Sequence, residues 1–198
     1  MAKKLESKPL KRLGILSAVL LIMLSVMYTL INNNFFSSLA NLRGNTGYFV
    51  YASASPARIR IPKINVDARV EHVGLTRDGA MDVPKRKENT GWLKTGPRPG
   101  ERGSSVIAGH RGWRSGRAVF DDLHLLKKGD KIYVEDATGK SFVFEVREMR
   151  SYDARAKVSE VWQRGDKAYL NLITCFGDWN EITRTSAERL VVFAELVE

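Results

Sequence analysis

The sequence predicts a mainly β domain of about eight short strands with one or two short helices, preceded by an N-terminal transmembrane helix. Short apolar runs after residue 56, several of them alternating with polar residues, are typical of strands. Turn-forming residues such as Asp78-Gly79 and Thr138-Gly139 separate these runs. Residues 13–31 differ, because they form one uncharged and mostly apolar segment.

The strand segments, in chain order, are residues 58–61, 68–73, 104–109, 131–135, 141–150, 168–174 and 189–197. The Gly- and Pro-rich stretch that ends at Gly103 is predicted to be a loop. Helical spacing of apolar residues predicts a helix within 117–126, and a second short helix is expected around 158–163. Many short strands with few helices favour a closed, antiparallel-rich barrel, although the strand number alone would also allow a sandwich.

The N-terminal segment is typical of a signal anchor. At about 1.5 Å per residue, the nineteen residues 13–31 span roughly the hydrocarbon core of a bilayer. Five basic residues and one acid precede them, which predicts a cytoplasmic N-terminus and an extracellular C-terminal domain. The Ala52-Ser-Ala54 sequence lies too far downstream for a cleaved signal peptide. We therefore divide the chain into a basic tail (1–12), a membrane anchor (13–31), a linker (32–55) and a catalytic domain (56–198).

The formal net charge of +10 does not indicate nucleic-acid binding. The basic tail supplies +4 of it, which membrane topology explains, and the later basic residues are scattered rather than clustered. The sequence contains one cysteine, so an intramolecular disulfide and any multi-cysteine metal site are excluded.

Three residue types suited to acyl transfer occur at the ends of predicted strands. Cys175 follows the apolar run 168–174, His110 follows 104–109, and Arg189 begins the last run. A thiolate can attack a carbonyl, an imidazole can transfer protons, and a fixed cation can stabilise the oxyanion that develops. These residues are the candidate catalytic set.

The sequences around these residues resemble sortases, the membrane-anchored cysteine transpeptidases of mostly Gram-positive bacteria. Leu172-Ile-Thr-Cys175 is similar to the family's Leu-x-Thr-Cys motif, Ala108-Gly-His-Arg-Gly112 to its Gly-His strand end, and Arg189 to its catalytic arginine. The resemblance covers about residues 57–197. Gly91-Trp92 and Pro99-Gly-Glu101 resemble single-domain actinobacterial classes, whereas Ala-Gly-His-Arg-Gly also resembles pilus-type members, so the class stays open.

The resemblance implies an eight-stranded barrel that cleaves a Leu-Pro-x-Thr-Gly-like sorting signal between Thr and Gly. The acyl group would pass through a thioester on Cys175 to an amine of a peptidoglycan precursor or a pilin lysine. Thr174 is predicted to steady the substrate or the cysteine loop, and Trp113 and Trp179 to contact the substrate or the incoming amine. Arg184 is a competitor for the role of Arg189, because the intervening loop varies in length across the family.

No obligatory cofactor or metal is expected, since the three histidines and one cysteine show no ligand spacing. Some sortases bind calcium through loop acids, and Glu101, Asp153 and Glu160 are the candidates here. Two other functions stay open at this stage. One is another exported cysteine enzyme, such as a peptidoglycan peptidase or an L,D-transpeptidase, and the other is an inactive, membrane-tethered binding barrel.

Overall fold

The computed structural model describes residues 54–112, 116–162, 165–182 and 185–197. The strands are β1 (Pro56–Ile61), β2 (Val66–Val73), β3 (Thr90–Leu93), β4 (Gly103–Gly109), β5 (Lys131–Asp136), β6 (Ser141–Asp153), β7 (Ala168–Asn180) and β8 (Thr185–Leu196). The helical elements of these described ranges are short 3₁₀ helices at Pro62–Ile64, Leu123–Leu125 and Ser159–Trp162.

The eight strands form a closed barrel in the order β1-β2-β3-β4-β7-β8-β6-β5. Pairing of β1 with β5 closes it. The pairs β2–β3 and β4–β7 are parallel, and the other pairs are antiparallel. Closure removes the exposed strand edges that a sandwich would leave. The predicted barrel is therefore confirmed, and the sandwich alternative is wrong.

Alternating side chains of the strands give the barrel two apolar regions. The interior is filled by large residues that are almost fully buried, among them Ile59, Ile107, Phe144, Leu172 and Val192. A smaller cluster lies on the outer face, where Val106 of β4 and Val191 of β8 meet Val161 of the third 3₁₀ helix. Odd- and even-numbered residues of β7 and β8 thus face opposite sides of the sheet.

The predicted helix within 117–126 is wrong: the segment consists of turns and one 3₁₀ turn. Its backbone N–H groups bond to distant carbonyl oxygens. The N–H of Val119 donates to Lys87 O at 2.9 Å, and the N–H of Phe120 donates to His110 O at 2.9 Å. These bonds replace the i to i−4 bonds of an α-helix. The apolar residues still serve the core, since Phe120 and Leu123 are fully buried. The predicted helix near 158–163 is present as the 3₁₀ helix Ser159–Trp162.

Two further strand predictions need correction. Strand β3 lies in the segment predicted to be a loop. Strand β7 does not end before Cys175 but continues to Asn180, paired with β8 beyond a register shift between Phe176 and Trp179. Hydrogen bonding to β8 stabilises this polar extension, so it needs no apolar run of its own.

The predicted membrane anchor at 13–31 lies outside the described residues. Within residues 54–112, 116–162, 165–182 and 185–197, we find no helix with the length and apolar character needed to cross a bilayer.

Candidate active site

Strand register brings the three candidate catalytic residues into one row. Strands β4 and β7 are parallel, with Gly103 opposite Ala168 and Ala108 opposite Ile173. Continuing this register by two positions places residue 110 beside residue 175. In the antiparallel pair β7–β8, Cys175 lies directly opposite Arg189. Neighbouring strands lie about 4.8 Å apart, so the row spans only a few strand widths.

The row lies on the outer face of the barrel. Residues 106, 173 and 191, which share alternation with the row, belong to or pack against the outer apolar cluster. Leu172, three positions before Cys175, and Leu190, next to Arg189, face the interior. The side chains of His110, Cys175 and Arg189 are half-buried, which leaves them accessible from outside the barrel.

A fourth residue extends the row and was missed by the sequence analysis. Tyr152 of β6 is the antiparallel partner of Arg189. Burial and the nearby Glu160 carboxylate raise the pKa of Tyr152, so the phenol stays protonated and donates to Glu160. The predicted strand ended at Arg150, three residues before the end of β6, so Tyr152 fell outside it. The register shift between Val146 and Glu148 breaks the alternation that begins at Phe142, so simple alternation would have placed Tyr152 on the wrong face.

A side-chain hydrogen bond of Thr174 links β7, which carries Cys175, to the end of β4, which His110 follows. Its side chain is 2% exposed, and its hydroxyl donates to Gly109 O at 2.8 Å. Of the two roles predicted for Thr174, this contact favours steadying the cysteine segment over touching the substrate. A second link follows immediately, because the Arg111 guanidinium lies 5.0 Å from the ring centroid of Phe176.

The His110 imidazole has a defined backbone partner. Its Nε2 lies 2.7 Å from the carbonyl oxygen of Pro84, in the segment between β2 and β3. A carbonyl oxygen can only accept a hydrogen bond, so Nε2 carries the proton. Proton exchange that preserves this bond must therefore occur at Nδ1. Pro84 is buried and was not predicted as part of the site.

Arg189 is held by hydrogen bonds to the start of its own strand. Its Nη1 donates to Ser186 O at 3.0 Å and Glu188 O at 2.8 Å, and its Nη2 donates to Thr185 Oγ1 at 2.8 Å. These bonds use three of the five N–H groups of the guanidinium. The register with Cys175 supports Arg189 as the candidate cation, while Arg184 lies outside the described residues.

The two candidate tryptophans have different outcomes. Trp179 is 55% exposed and lies in the extension of β7, opposite Ser186, rather than in a loop. An exposed aromatic close to the row remains a candidate substrate contact. Trp113 lies outside the described residues, so its predicted role stays a prediction.

The outer apolar cluster lies beside the row. Val161 and Val191 are buried in it, and the half-buried Val158 and Ile173 pack against them. Val158 and Val161 belong to the segment between β6 and β7. Polar bonds hold this segment in place. Arg150 of β6 donates to Glu160 at 2.9 Å, and Tyr152 donates to the same carboxylate.

The loop acids considered for calcium have local partners instead. Glu160 bonds Arg150 and Tyr152, Glu101 accepts the N–H of Arg98 at 2.8 Å, and Asp153 accepts the N–H of Arg155 at 2.8 Å. In the part of the chain that the structure describes, no three His, Cys, Asp or Glu residues are grouped so as to hold a metal ion.

Comparisons with known proteins agree with this geometry. A family model described as the sortase domain matches residues 59–197. Sortase C-1 of Actinomyces oris is 29% identical, with 72% of this chain and 73% of that chain covered and a TM-score of 0.56. A sortase D5 transpeptidase of Clostridium perfringens is 27% identical over 73% of this chain and 79% of that chain, with a TM-score of 0.55.

Sortase A of Corynebacterium diphtheriae is 24% identical and supports the fold alone, with 74% of this chain and 62% of that chain covered and a TM-score of 0.56. A search of curated protein sequences returns no significant match.

Proposed function

Because the chain belongs to the sortase family of cysteine transpeptidases, we propose that it cleaves a Leu-Pro-x-Thr-Gly-like sorting signal between Thr and Gly. It then transfers the acyl group to an amine of a cell-wall precursor or of a pilin lysine. The observation that carries this proposal is the shared register of residue 110, Cys175 and Arg189 on one face of three adjacent strands. An inactive binding barrel would not need this set.

In the first half-reaction, the Cys175 thiolate attacks the carbonyl carbon of the signal's threonine. A C–S bond forms, and the carbonyl oxygen becomes an oxyanion that accepts hydrogen bonds from Arg189. Collapse of the tetrahedral intermediate breaks the C–N bond to glycine. The protonated His110 imidazole gives its Nδ1 proton to the departing amine, which leaves a thioester on Cys175.

In the second half-reaction, an acceptor amine attacks the thioester carbonyl carbon. Neutral His110 takes one proton from this amine at Nδ1, and Arg189 again faces the oxyanion. Collapse releases the Cys175 thiolate and leaves a new amide bond. The enzyme thus regains the thiolate and the imidazolium with which it began, and no redox change occurs.

We expect an extended signal peptide to bind beside the row, over the outer apolar cluster. The half-buried side chains of Val158 and Ile173 offer apolar contacts that suit signal residues such as Leu and Pro. A signal lying along this cluster would present its Thr–Gly bond at Cys175.

We further propose that residues 13–31 anchor the enzyme in the cell membrane, with the catalytic barrel extracellular. The described chain enters the barrel far from the catalytic row. The N–H of Ala54 donates to Asp136 at 3.0 Å, beside the turn that joins β5 to β6. Tyr152 lies near the opposite end of β6.

The test uses the full chain in detergent micelles with a panel of quenched Leu-Pro-x-Thr-Gly-type peptides and candidate amines. Mass spectrometry of the protein should show an acyl adduct on Cys175, and the peptide should be cut after Thr. The Cys175→Ala protein is the control and should show neither. A folded wild-type protein without adduct or cleavage across the panel would refute the proposed signal class.

A further inference from the structure

The Glu71 carboxylate binds the segment that presents the Pro84 carbonyl to His110. Glu71 of β2 accepts the backbone N–H of Lys85 at 2.8 Å through Oε2. Through Oε1 it accepts the side-chain amide of Asn89, also at 2.8 Å. Lys85 directly follows Pro84. The carboxylate therefore accepts a hydrogen bond one residue away from the carbonyl that contacts His110.

Strand register explains how Glu71 reaches this segment. Glu71 lies beside Gly91 of β3, and Gly91 lies beside Ala108 of β4. Gly91 has no side chain, and Pro84 occupies the space above it. A Cβ added at Gly91 would lie 3.3 Å from Pro84 Cδ and 2.9 Å from Val73 Cγ1. The missing side chain therefore lets Pro84 lie close to the sheet.

Glu71 is ionised at neutral pH. Partial burial by itself would raise its pKa. Hydrogen bonds from the N–H of Lys85, the Asn89 amide and the N–H of Arg86 outweigh burial, and the positive charge of Lys85 adds to them, so the pKa is lowered. Hydrogen bonds to a charged acceptor are stronger than neutral ones. The ionised Glu71 thus adds strong hydrogen bonds to a segment that backbone bonds at Lys87 and Asn89 also hold.

We propose that Glu71 is a positioning residue for catalysis, acting through the Pro84 carbonyl to hold the His110 proton on Nε2 and to direct proton exchange to Nδ1. The inference rests on the proposed role of His110 as the proton donor and acceptor. Glu71 itself touches neither the substrate nor the reacting atoms. Its effect is to select one tautomer and one ring orientation of the imidazole.

Kinetics of the full chain in micelles provide the first test, with Glu71→Ala and Glu71→Gln compared with wild type. Glu71→Ala should lower kcat for transpeptidation by about 10-fold or more, because small misplacements of a catalytic group are costly. The KM for the signal peptide should change by less than about 2-fold, since the proposed peptide site lies beside β7 and β8 and not on β2. Glu71→Gln keeps one accepting oxygen and should restore part of kcat.

Asp130→Ala is the matched control for these variants. Asp130 also accepts a backbone N–H, from Lys127 at 2.8 Å, but in the turn before β5 and not in the segment that contains Pro84. It should retain the wild-type kcat. Equal losses of kcat in Glu71→Ala and Asp130→Ala, or no recovery in Glu71→Gln, would mean that Glu71 acts only on general stability and would overturn the inference.

A second test observes the tautomer directly and needs no activity. The protein is labelled with ¹⁵N-histidine, and the imidazole nitrogens are recorded at a pH where the rings are neutral. The signals of His110 are assigned by their loss in His110→Gln. Wild type should show the proton on Nε2, and Glu71→Ala should show a mixture of tautomers. An unchanged Nε2–H tautomer in Glu71→Ala would overturn the inference.

The two proposals can fail separately. Loss of activity in His110→Ala with full activity in Glu71→Ala refutes only the positioning role, whereas a wild type that forms no thioester refutes the proposed function.

Discussion

Replacing Thr174 by Val tests whether one buried hydrogen bond couples the two catalytic strands. Valine keeps the shape of threonine and removes the donor to Gly109 O, which lies 2.8 Å away. The side chain is 2% exposed, so water cannot replace the lost partner. Removal of a buried hydrogen bond in this way costs about 1–2 kcal/mol. For a domain of this size the expected fall in Tm is about 3–8 °C.

The same change should also lower the rate of catalysis. Gly109 directly precedes His110, so loosening this strand end misplaces the imidazole relative to Cys175. We expect kcat for transpeptidation to fall by about 10-fold or more. The assays are thermal unfolding followed by circular dichroism, and peptide cleavage under saturating signal. Thr174→Ser retains the hydroxyl and is the control. A Thr174→Val protein with the Tm and kcat of wild type would refute the reasoning.

Three further predictions address packing, transition-state charge and pH. A methyl group at Gly109 would lie 2.3 Å from Cδ2 of the fully buried Phe120, so Gly109→Ala should lose about 1–3 kcal/mol in urea denaturation. Adding Phe120→Leu should recover part of this loss; no recovery would contradict the clash. Arg189→Lys keeps the charge but not the planar fork, so kcat should fall by about 10²-fold; a change below about 3-fold would exclude the oxyanion role. Burial by itself would raise the pKa of Asp136, but hydrogen bonds from Thr138 and the N–H groups of Ala54 and Lys140 lower it. Its stabilisation is therefore present above the unfolded pKa of about 4 and lost as pH falls through the folded value. The difference in urea midpoint between wild type and Asp136→Asn should shrink from pH 7 to pH 3, and a constant difference would contradict this assignment.

Local sequence patterns predicted most of the strands correctly. They failed at β3 and at residues 117–126. Strand β3 has four residues, Thr90–Leu93, which are all buried, so it shows no alternation. It also lies within a Pro- and Gly-rich stretch. The segment 117–126 has helical spacing because several of its apolar residues point into one core, but its N–H groups bond to distant carbonyls. Spacing reports which side chains are buried, not which hydrogen bonds the backbone makes.

In the candidate site, too, some features followed from the sequence and others only from the tertiary structure. The sequence by itself determined that a cysteine, a histidine and an arginine occur in or beside strand-forming runs, and their motifs resembled sortases. Only the tertiary structure decided that residue 110, Cys175 and Arg189 share one row, that Tyr152 extends it, and that Glu71 holds the segment touching His110. The physical reason is that alternation depends on neighbours along the chain. Register depends on which distant strands pair when the barrel closes, and on the side chains that this pairing brings together.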